Sequence, residues 1–433
     1  MPITNLPTLK SINPATLECI KEYPQHSGQE IEERLLKLGI AQKEWQAINL
    51  SQRKVCMLKL ASDLEQIEQD AAETMANEMG KPWRQGAREI SKCAWLCRWF
   101  ANSAETYLTI DSISTEYQRS YVQFEPLGCI LAIMPWNYPF WQVFRCAVPA
   151  IMAGNGILLK HAPSTQGCAQ IIEQLFVNAG FPDGLLVNIK VENSRVESLI
   201  AHASVNMITF TGSTGVGRVV AKQAAEYLKP SVLELGGSDP YLIFDDAELR
   251  NAVEKCAQSR WLNTGQSCIS AKRIIVIDEI YDEFMEQFLA FARQYEFINP
   301  LSRPFDGYFV GPMARLDLRD QLAKQVSDSI DLGACCELGG QIPDLKGAYY
   351  PVTVLSNVSP GMPAFDQELF GPVATIIRAK DDRHMIALAN KTKYGLGAAL
   401  FTKSAVRIAQ YPKLLQVGNI AINDIVKSDP RLP

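Results

Sequence analysis

Along the first hundred residues apolar positions recur three and four apart with charged residues between them, most plainly in IEERLLKLGIAQKEWQ (31–46) and RKVCMLKLASDLEQIEQDAAETMANEMG (53–80). That spacing gives a helix one apolar face, so this stretch is predicted to be mostly helical. The pattern changes near Thr115, where TEYQRSYVQFEPLG (115–128) alternates polar with aromatic or β-branched residues, as a half-exposed strand or hairpin does. Short apolar runs then alternate with helical patterns: CILAIM, GILLK, LLVNIKV, VNMITFTG, SVLELGG and PYLIF, with STQGCAQIIEQLFVNAG (164–180) among the helices between them. Continuous apolar strands separated by helices mark parallel βαβ units covered on both faces. The alternation restarts at RIIVI and the helix YDEFMEQFLAFARQY, and recurs at PVATIIRAK, GLGAALFT and GNIAIND. Two doubly wound α/β domains are therefore predicted.

Composition narrows the partners. A chain of 433 residues is too long for one ordinary core, and 47% hydrophobic with 21% charged residues describes a folded protein. The net charge of −5, with no long run of Lys and Arg, argues against a nucleic-acid partner. No stretch approaches the roughly 20 uncharged apolar residues of a bilayer span, and no basic, then apolar, leader opens the sequence. No membrane association and a cytoplasmic location are the resulting expectations. Eleven cysteines without a CxxC pair suggest neither a disulfide framework nor a zinc knuckle, so no metal is expected.

Four places carry candidate chemistry. Gly212-Ser213-Thr214-Gly215-Val216-Gly217 stands between an apolar strand and an amphipathic helix, where backbone N–H groups and the positive helix end favour a phosphate; its spacing is not GxGxxG, and a tight structural turn is the alternative. Cys268 in NTGQSCIS is a nucleophile if its surroundings favour the thiolate, and otherwise a buried structural thiol. Glu234 in LELGGSDP ends an apolar strand before two glycines, where a partly desolvated carboxylate suits a general base; a strand-end ion pair is the plainer reading. Asn137 in MPWNYPF offers an amide to an oxyanion, or forms a turn.

MPWNYPF, LLKHAPST, FTGSTGVG, LELGGSDP, GQSC and ELFGPV, in this order and with Glu234 and Cys268 separated by 34 residues (268 − 234), resemble the aldehyde dehydrogenase superfamily. The resemblance runs from about Ser11 to Pro433. Within the superfamily, LLKHAP, LELGGSDP and the SDPRLP ending are most similar to bacterial succinate-semialdehyde dehydrogenases.

The resemblance implies residues 1–112 and 128–234 as an NAD(P)-binding domain, 113–127 as a small β oligomerisation hairpin, 235–424 as a catalytic domain and 425–433 as the start of a shortened tail. It implies attack by Cys268 on a small-molecule aldehyde, an oxyanion held by Asn137 and the Cys268 N–H, hydride transfer to NAD or NADP, and hydrolysis of the thioester by water activated by Glu234. Trp136 and Lys160 would lie near the adenosine side, Gly212 and Ser213 at the pyrophosphate turn, and Leu235, Glu368 and Phe370 at the nicotinamide and its ribose, with Asn137, His161, Ala162, Pro163 and Gly217 as further cofactor-binding residues. Arg145, eight residues after Asn137, matches an arginine that grips the distal carboxylate of a semialdehyde.

Departures qualify this picture. Pro163 stands where many NAD-preferring members carry a glutamate, so both cofactors are expected, with a slight lean to NAD. Leu262 replaces a second arginine. The Phe-Gly-Gly and last-strand tail that relatives carry is absent, which would leave the hairpin edge unpaired. A homodimer or homotetramer is expected if that strand is dispensable, and an inactive paralogue that binds a dinucleotide or a partner subunit is the alternative.

Overall fold

The computed structural model describes residues 7–304 and 306–432, which divide into two compact units. The first comprises residues 7–12, Cys19–Glu78 and Gly86–Glu234; the second comprises Asn13–Glu18, Met79–Gln85 and residues 235–432.

The first unit opens with an antiparallel hairpin, β1 (Thr8–Ile12) and β2 (Cys19–Pro24), which the helical reading of the first hundred residues did not contain. Four helices follow: α1 (Gly28–Ala47), α2 (Leu50–Gln66), α3 (Glu68–Met79) and α4 (Trp83–Tyr107). α1 begins where the Ser27 side chain accepts from the Glu30 N–H and the Glu30 carboxylate accepts from the Ser27 N–H, a reciprocal cap that satisfies two backbone donors. Its Ile31, Leu35, Leu38, Ala41 and Trp45 are buried along one face. The amphipathic run 53–80 is two helices, because Ile67 leaves helical geometry with φ −97° and ψ 10°. The alternating segment 115–128 yields a shorter ladder than predicted: β3 (Asp111–Ser112) pairs with β4 (Tyr121–Val122) over two residues each. Tyr117, Phe124 and Leu127 are exposed, so no core within the unit fixes a longer ladder.

A five-stranded sheet completes this unit. Its elements are β5 (Cys129–Met134), α5 (Trp141–Met152), β6 (Gly156–His161), α6 (Gln166–Asn178), β7 (Leu186–Asn188), α7 (Val196–Ala201), β8 (Val205–Thr211), α8 (Thr214–Glu226) and β9 (Ser231–Glu234). The strands run parallel in the order β7-β6-β5-β8-β9. Every residue of β5 and β6 is buried, as expected for strands covered on both faces. The order reverses between β5 and β8, which are neighbours through Ile133 and Phe210. Such a reversal opens a crevice at the carboxyl ends of the strands, where ligands bind in doubly wound sheets.

The second unit contains β10 (Asp239–Ile243), α9 (Leu249–Trp261), β11 (Ala271–Ile277), α10 (Tyr281–Ala292), β12 (Tyr295–Phe297), β13 (Tyr308–Val310), α11 (Leu316–Asp331), β14 (Cys335–Leu338), β15 (Thr353–Ser356), α12 (Pro363–Asp366), β16 (Val373–Ala379), α13 (Asp382–Asn390), β17 (Gly397–Phe401), α14 (Ala405–Gln410) and β18 (Asn419–Ile422). Seven strands form one sheet in the order β14-β15-β16-β11-β10-β17-β18, with only β14 antiparallel, while β12 and β13 pair separately. The short excursions are anchored by backbone hydrogen bonds, Ala348 N–H to Pro14 O at 2.7 Å and Trp83 N–H to Pro300 O at 2.8 Å.

Candidate active site

In the first unit the predicted site residues gather at the carboxyl edge of the sheet. Trp136 and Asn137 follow β5, Lys160 and His161 end β6, Gly212 and Ser213 follow β8, and Glu234 ends β9. β5 and β8 flank the reversal of strand order, so Trp136, Asn137, Gly212 and Ser213 stand at its crevice. The glycine-rich turn leads directly into α8, where the Ser213 hydroxyl caps the helix by accepting from the Val216 N–H. Gly217 is buried in the first turns of α8 and Ser213 is exposed.

Lys160 is 4% exposed and its ammonium donates to Asn193 Oδ1 at 2.5 Å; burial pushes its pKa down to about 8. A buried ammonium bonded to a neutral amide is under-neutralised, and favours an anion nearby. His161 has no such freedom. Its Nε2 is 2.9 Å from Pro139 O, and its Nδ1 accepts from the Ala162 N–H and lies 2.8 Å from Thr165 Oγ1. Burial pushes it down to about 4, so its ring is a neutral clamp on the loop after β6. Ala162 is buried and Pro163 opens a short 3-10 turn, Pro163–Thr165. Proline puts no carboxylate at the end of β6.

Asn137 is 5% exposed. Arg145, on α5, is ion-paired through Nη2 to Glu234 Oε1, both side chains being about one-third exposed. The residue predicted to grip a substrate carboxylate therefore holds the carboxylate predicted to be the general base.

In the second unit the site residues lie at the opposite, amino edge of the strands. Leu235 leads into β10, Cys268 into β11, and Glu368 and Phe370 into β16, and these three strands are neighbours in the sheet. Cys268 is half-buried. The Gly237 N–H donates to Glu368 Oε1 at 3.1 Å. Gly265, the glycine of GQSC, has φ +71°, and a Cβ there would collide with the Gly371 carbonyl oxygen. The motif glycine lets the segment bearing the thiol press against the segment bearing Glu368.

Two cations that the sequence reading passed over organise this edge. Arg260, fully buried on α9, donates to Val373 O at 2.7 Å and Leu369 O at 2.9 Å, and also to Ser270 Oγ and Gly371 O. Lys272, 1% exposed at the start of β11, donates to Ser267 O at 2.7 Å and Cys268 O at 2.8 Å, and lies 3.3 Å from Glu368 Oε1. Two adjacent cations, Lys272 and Arg273, opening the apolar run IIVI were the available signal, because buried charges need partners.

Among the described residues no group of three or more His, Cys, Asp or Glu side chains is placed to hold a metal, and no helix is long and apolar enough to cross a membrane.

Residues 3–433 match the model of the aldehyde dehydrogenase family. The chain belongs to this family. Among relatives of this aldehyde dehydrogenase, the succinate semialdehyde dehydrogenase [NAD(P)+] of Escherichia coli is 41% identical over 432 residues, covering 100% of this chain and 93% of that one. A probable succinate-semialdehyde dehydrogenase [NADP(+)] of Synechocystis is 39% identical over 428 residues, 98% of this chain and 93% of that one. The crystal structure of succinic semialdehyde dehydrogenase from Streptococcus pyogenes in complex with NADP+ superposes with a TM-score of 0.95 at 29% identity, covering 98% of this chain and 93% of that one.

These relatives correct one expectation for the aldehyde dehydrogenase. Their names carry NADP+ or NAD(P)+, so the lean towards NAD has no support; Pro163, just after β6, carries no charge that would repel a phosphate. Nor do they support an inactive paralogue.

Proposed function

We propose that this aldehyde dehydrogenase oxidises succinate semialdehyde to succinate with either NAD+ or NADP+. The observation that supports the substrate is Arg145: its guanidinium is partly exposed and pairs with a carboxylate, that of Glu234, the kind of partner that the distal end of a semialdehyde would offer it. The names of the similar enzymes point the same way.

The residues fit a dinucleotide. The capped N-terminus of α8, the Gly212 turn and under-neutralised Lys160 suit its phosphates, and Glu368, held by the Gly237 N–H, suits the ribose hydroxyls. When bound, the oxidised nicotinamide accepts a hydride.

The Cys268 thiol gives its proton to solvent and the thiolate sulfur adds to the aldehyde carbon, whose C=O electron pair moves onto oxygen. The oxyanion so formed is held by the Asn137 amide and the Cys268 N–H, donors worth about 3 kcal/mol each in such sites. When the carbon–oxygen double bond re-forms, the C–H bond breaks with its electron pair and a thioester to Cys268 remains. Glu234 takes a proton from water, the hydroxide adds to the thioester, and the C–S bond breaks to release the acid and restore the thiolate. Assembly as a homodimer or homotetramer through the exposed hairpin fits its exposed Tyr117, Phe124 and Leu127.

The test is NADH and NADPH formation from a panel of semialdehydes and unsubstituted aldehydes by the wild type and Cys268→Ser. Succinate semialdehyde should be the preferred substrate and Cys268→Ser should lose nearly all turnover. Equal rates with unsubstituted aldehydes would overturn the substrate, and unchanged turnover in Cys268→Ser would overturn the mechanism.

A further inference from the structure

We propose that Lys272 is a positioning residue that holds the backbone of Cys268, by hydrogen bonds, and the carboxylate of Glu368, by an ion pair, in one unit, so that presentation of the nucleophile and engagement of the dinucleotide depend on each other. The inference rests on the roles proposed above for Cys268 and Glu368.

An ammonium has three donors and no acceptor. Two of those of Lys272 are spent on consecutive carbonyls, Ser267 O at 2.7 Å and Cys268 O at 2.8 Å. Glu368 Oε1 lies 3.3 Å from the same ammonium as its ion-pair partner. The same Oε1 accepts from the Gly237 N–H, and Gly237 itself leaves no room beside the thiol segment: a Cβ there would stand 2.6 Å from Cys268 O. Leads into β10, β11 and β16 are thus tied at a single ammonium. Lys272 is 1% exposed and the Glu368 side chain 17% exposed, against about half for the pairs on the surface, so water screens this link little.

Other charges face the same cluster. Asp239, at the start of β10, is buried and interacts with Lys272, Glu368 and Arg273, while Arg260 feels Glu368 from α9. None of these occupies the place of Lys272, since Arg273 spends its donors on Ser238 O, Leu388 O and Ala389 O and Arg260 on the carbonyls and the hydroxyl described above. Removing the Lys272 charge therefore takes its ion pair from Glu368 and one donor from each of two carbonyls beside the nucleophile. The positive charge nearest the Cys268 backbone is lost with it, which disfavours the thiolate.

The experiment compares wild type, Lys272→Met and Glu368→Gln as full chains, with folding checked by near-ultraviolet circular dichroism. Readouts are the pH dependence of Cys268 alkylation by iodoacetamide, with and without NADP+, and kcat and KM for dinucleotide and aldehyde. Lys272→Met should move the alkylation midpoint to higher pH, lower kcat at least tenfold, and raise KM for the dinucleotide while leaving KM for the aldehyde within about twofold. Glu368→Gln keeps the size of the side chain and severs the same link from the other side. It should raise KM for the dinucleotide and change the alkylation profile, and it carries the test alone if Lys272→Met does not fold. A folded Lys272→Met, or in its absence a folded Glu368→Gln, with the wild-type alkylation profile overturns the proposal. A wild type that fails to oxidise any aldehyde, or retains turnover after alkylation of Cys268, would instead sink the functional reading on which it rests.

Discussion

The guanidinium of Arg145 is bound to the carboxylate of Glu234, joining the middle of α5 to the end of β9. In the proposed mechanism one arginine thereby faces two claims, from the proposed general base and from the far end of a dicarboxylic semialdehyde. The pair is about one-third exposed on each side, so it is partly screened and exchangeable rather than locked. Arg145→Gln separates the claims. With the substrate role, kcat/KM for succinate semialdehyde falls ~10- to 100-fold, the scale of one charge-assisted hydrogen bond lost, while butanal, which lacks the carboxylate, changes by less than about threefold. Equal losses for both aldehydes would leave Arg145 as a holder of Glu234 alone.

Glu234→Gln probes the second half of the reaction. Glutamine can still accept from Arg145 but cannot take a proton from water. Acylation of Cys268 is expected to proceed and hydrolysis to slow by ~10²- to 10⁴-fold, the usual range for loss of a general base. Stopped-flow absorbance should then show a burst of about one reduced dinucleotide per Cys268 followed by slow turnover. Uniform slowing without a burst would place Glu234 before the thioester.

Much of this site was readable as residues and little of it as geometry. Strands such as β5 and β6 declared themselves as short apolar runs between helical patterns, because burial on both faces leaves few polar positions, in β6 only the terminal Lys160 and His161. The predicted hairpin over 115–128 shrank because alternation alone specifies a strand only where one side meets a core. β14, exposed along most of its length, and the four-residue β15 gave too short a signal to register. Lys272 and Arg260 escaped because their partners are mainly backbone carbonyls, which a sequence does not display. The motif reading named Cys268 and Glu368 separately; that a third residue ties them emerges only from the order β16-β11-β10.

Lys160 gives the cofactor question a pH axis. Its folded pKa of about 8 lies below the ordinary value of 10.5, so the native chain binds its proton less readily than the unfolded chain. The penalty for burying the charge is full below about 8 and is gone once pH exceeds 10.5; within that window this residue makes stability rise with pH. Binding follows the opposite course. The charged form attracts a 2′-phosphate, so the preference for NADP+ over NAD+ should be largest below pH about 8 and shrink by up to ~10-fold, or ~1.4 kcal/mol, above it. Fluorescence titration of both dinucleotides across this range checks it. Lys160→Met should flatten the profile; a wild-type ratio that does not change with pH would remove Lys160 from phosphate recognition.

Gly265 permits the sharpest stability test, because two independent costs meet there. Its φ of +71° is a conformation that side chains rarely adopt, and an added Cβ would meet the carbonyl oxygen of Gly371, which as backbone cannot swing aside. The left-handed conformation costs ~1–2 kcal/mol, and forcing an extra methyl into a packed contact costs a further ~1–3 kcal/mol. Gly265→Ala should thus lose about 2–5 kcal/mol in urea unfolding. Because Gly265 stands three residues before Cys268, turnover per folded molecule should fall as well. Gly39→Ala is the matched control: Gly39 lies inside α1, where an added methyl would have nothing within 4 Å of it, and alanine there should gain ~0.5–1 kcal/mol with turnover unchanged. If both substitutions proved equally benign, the close approach of the Cys268 and Glu368 segments would not be what the motif glycine serves.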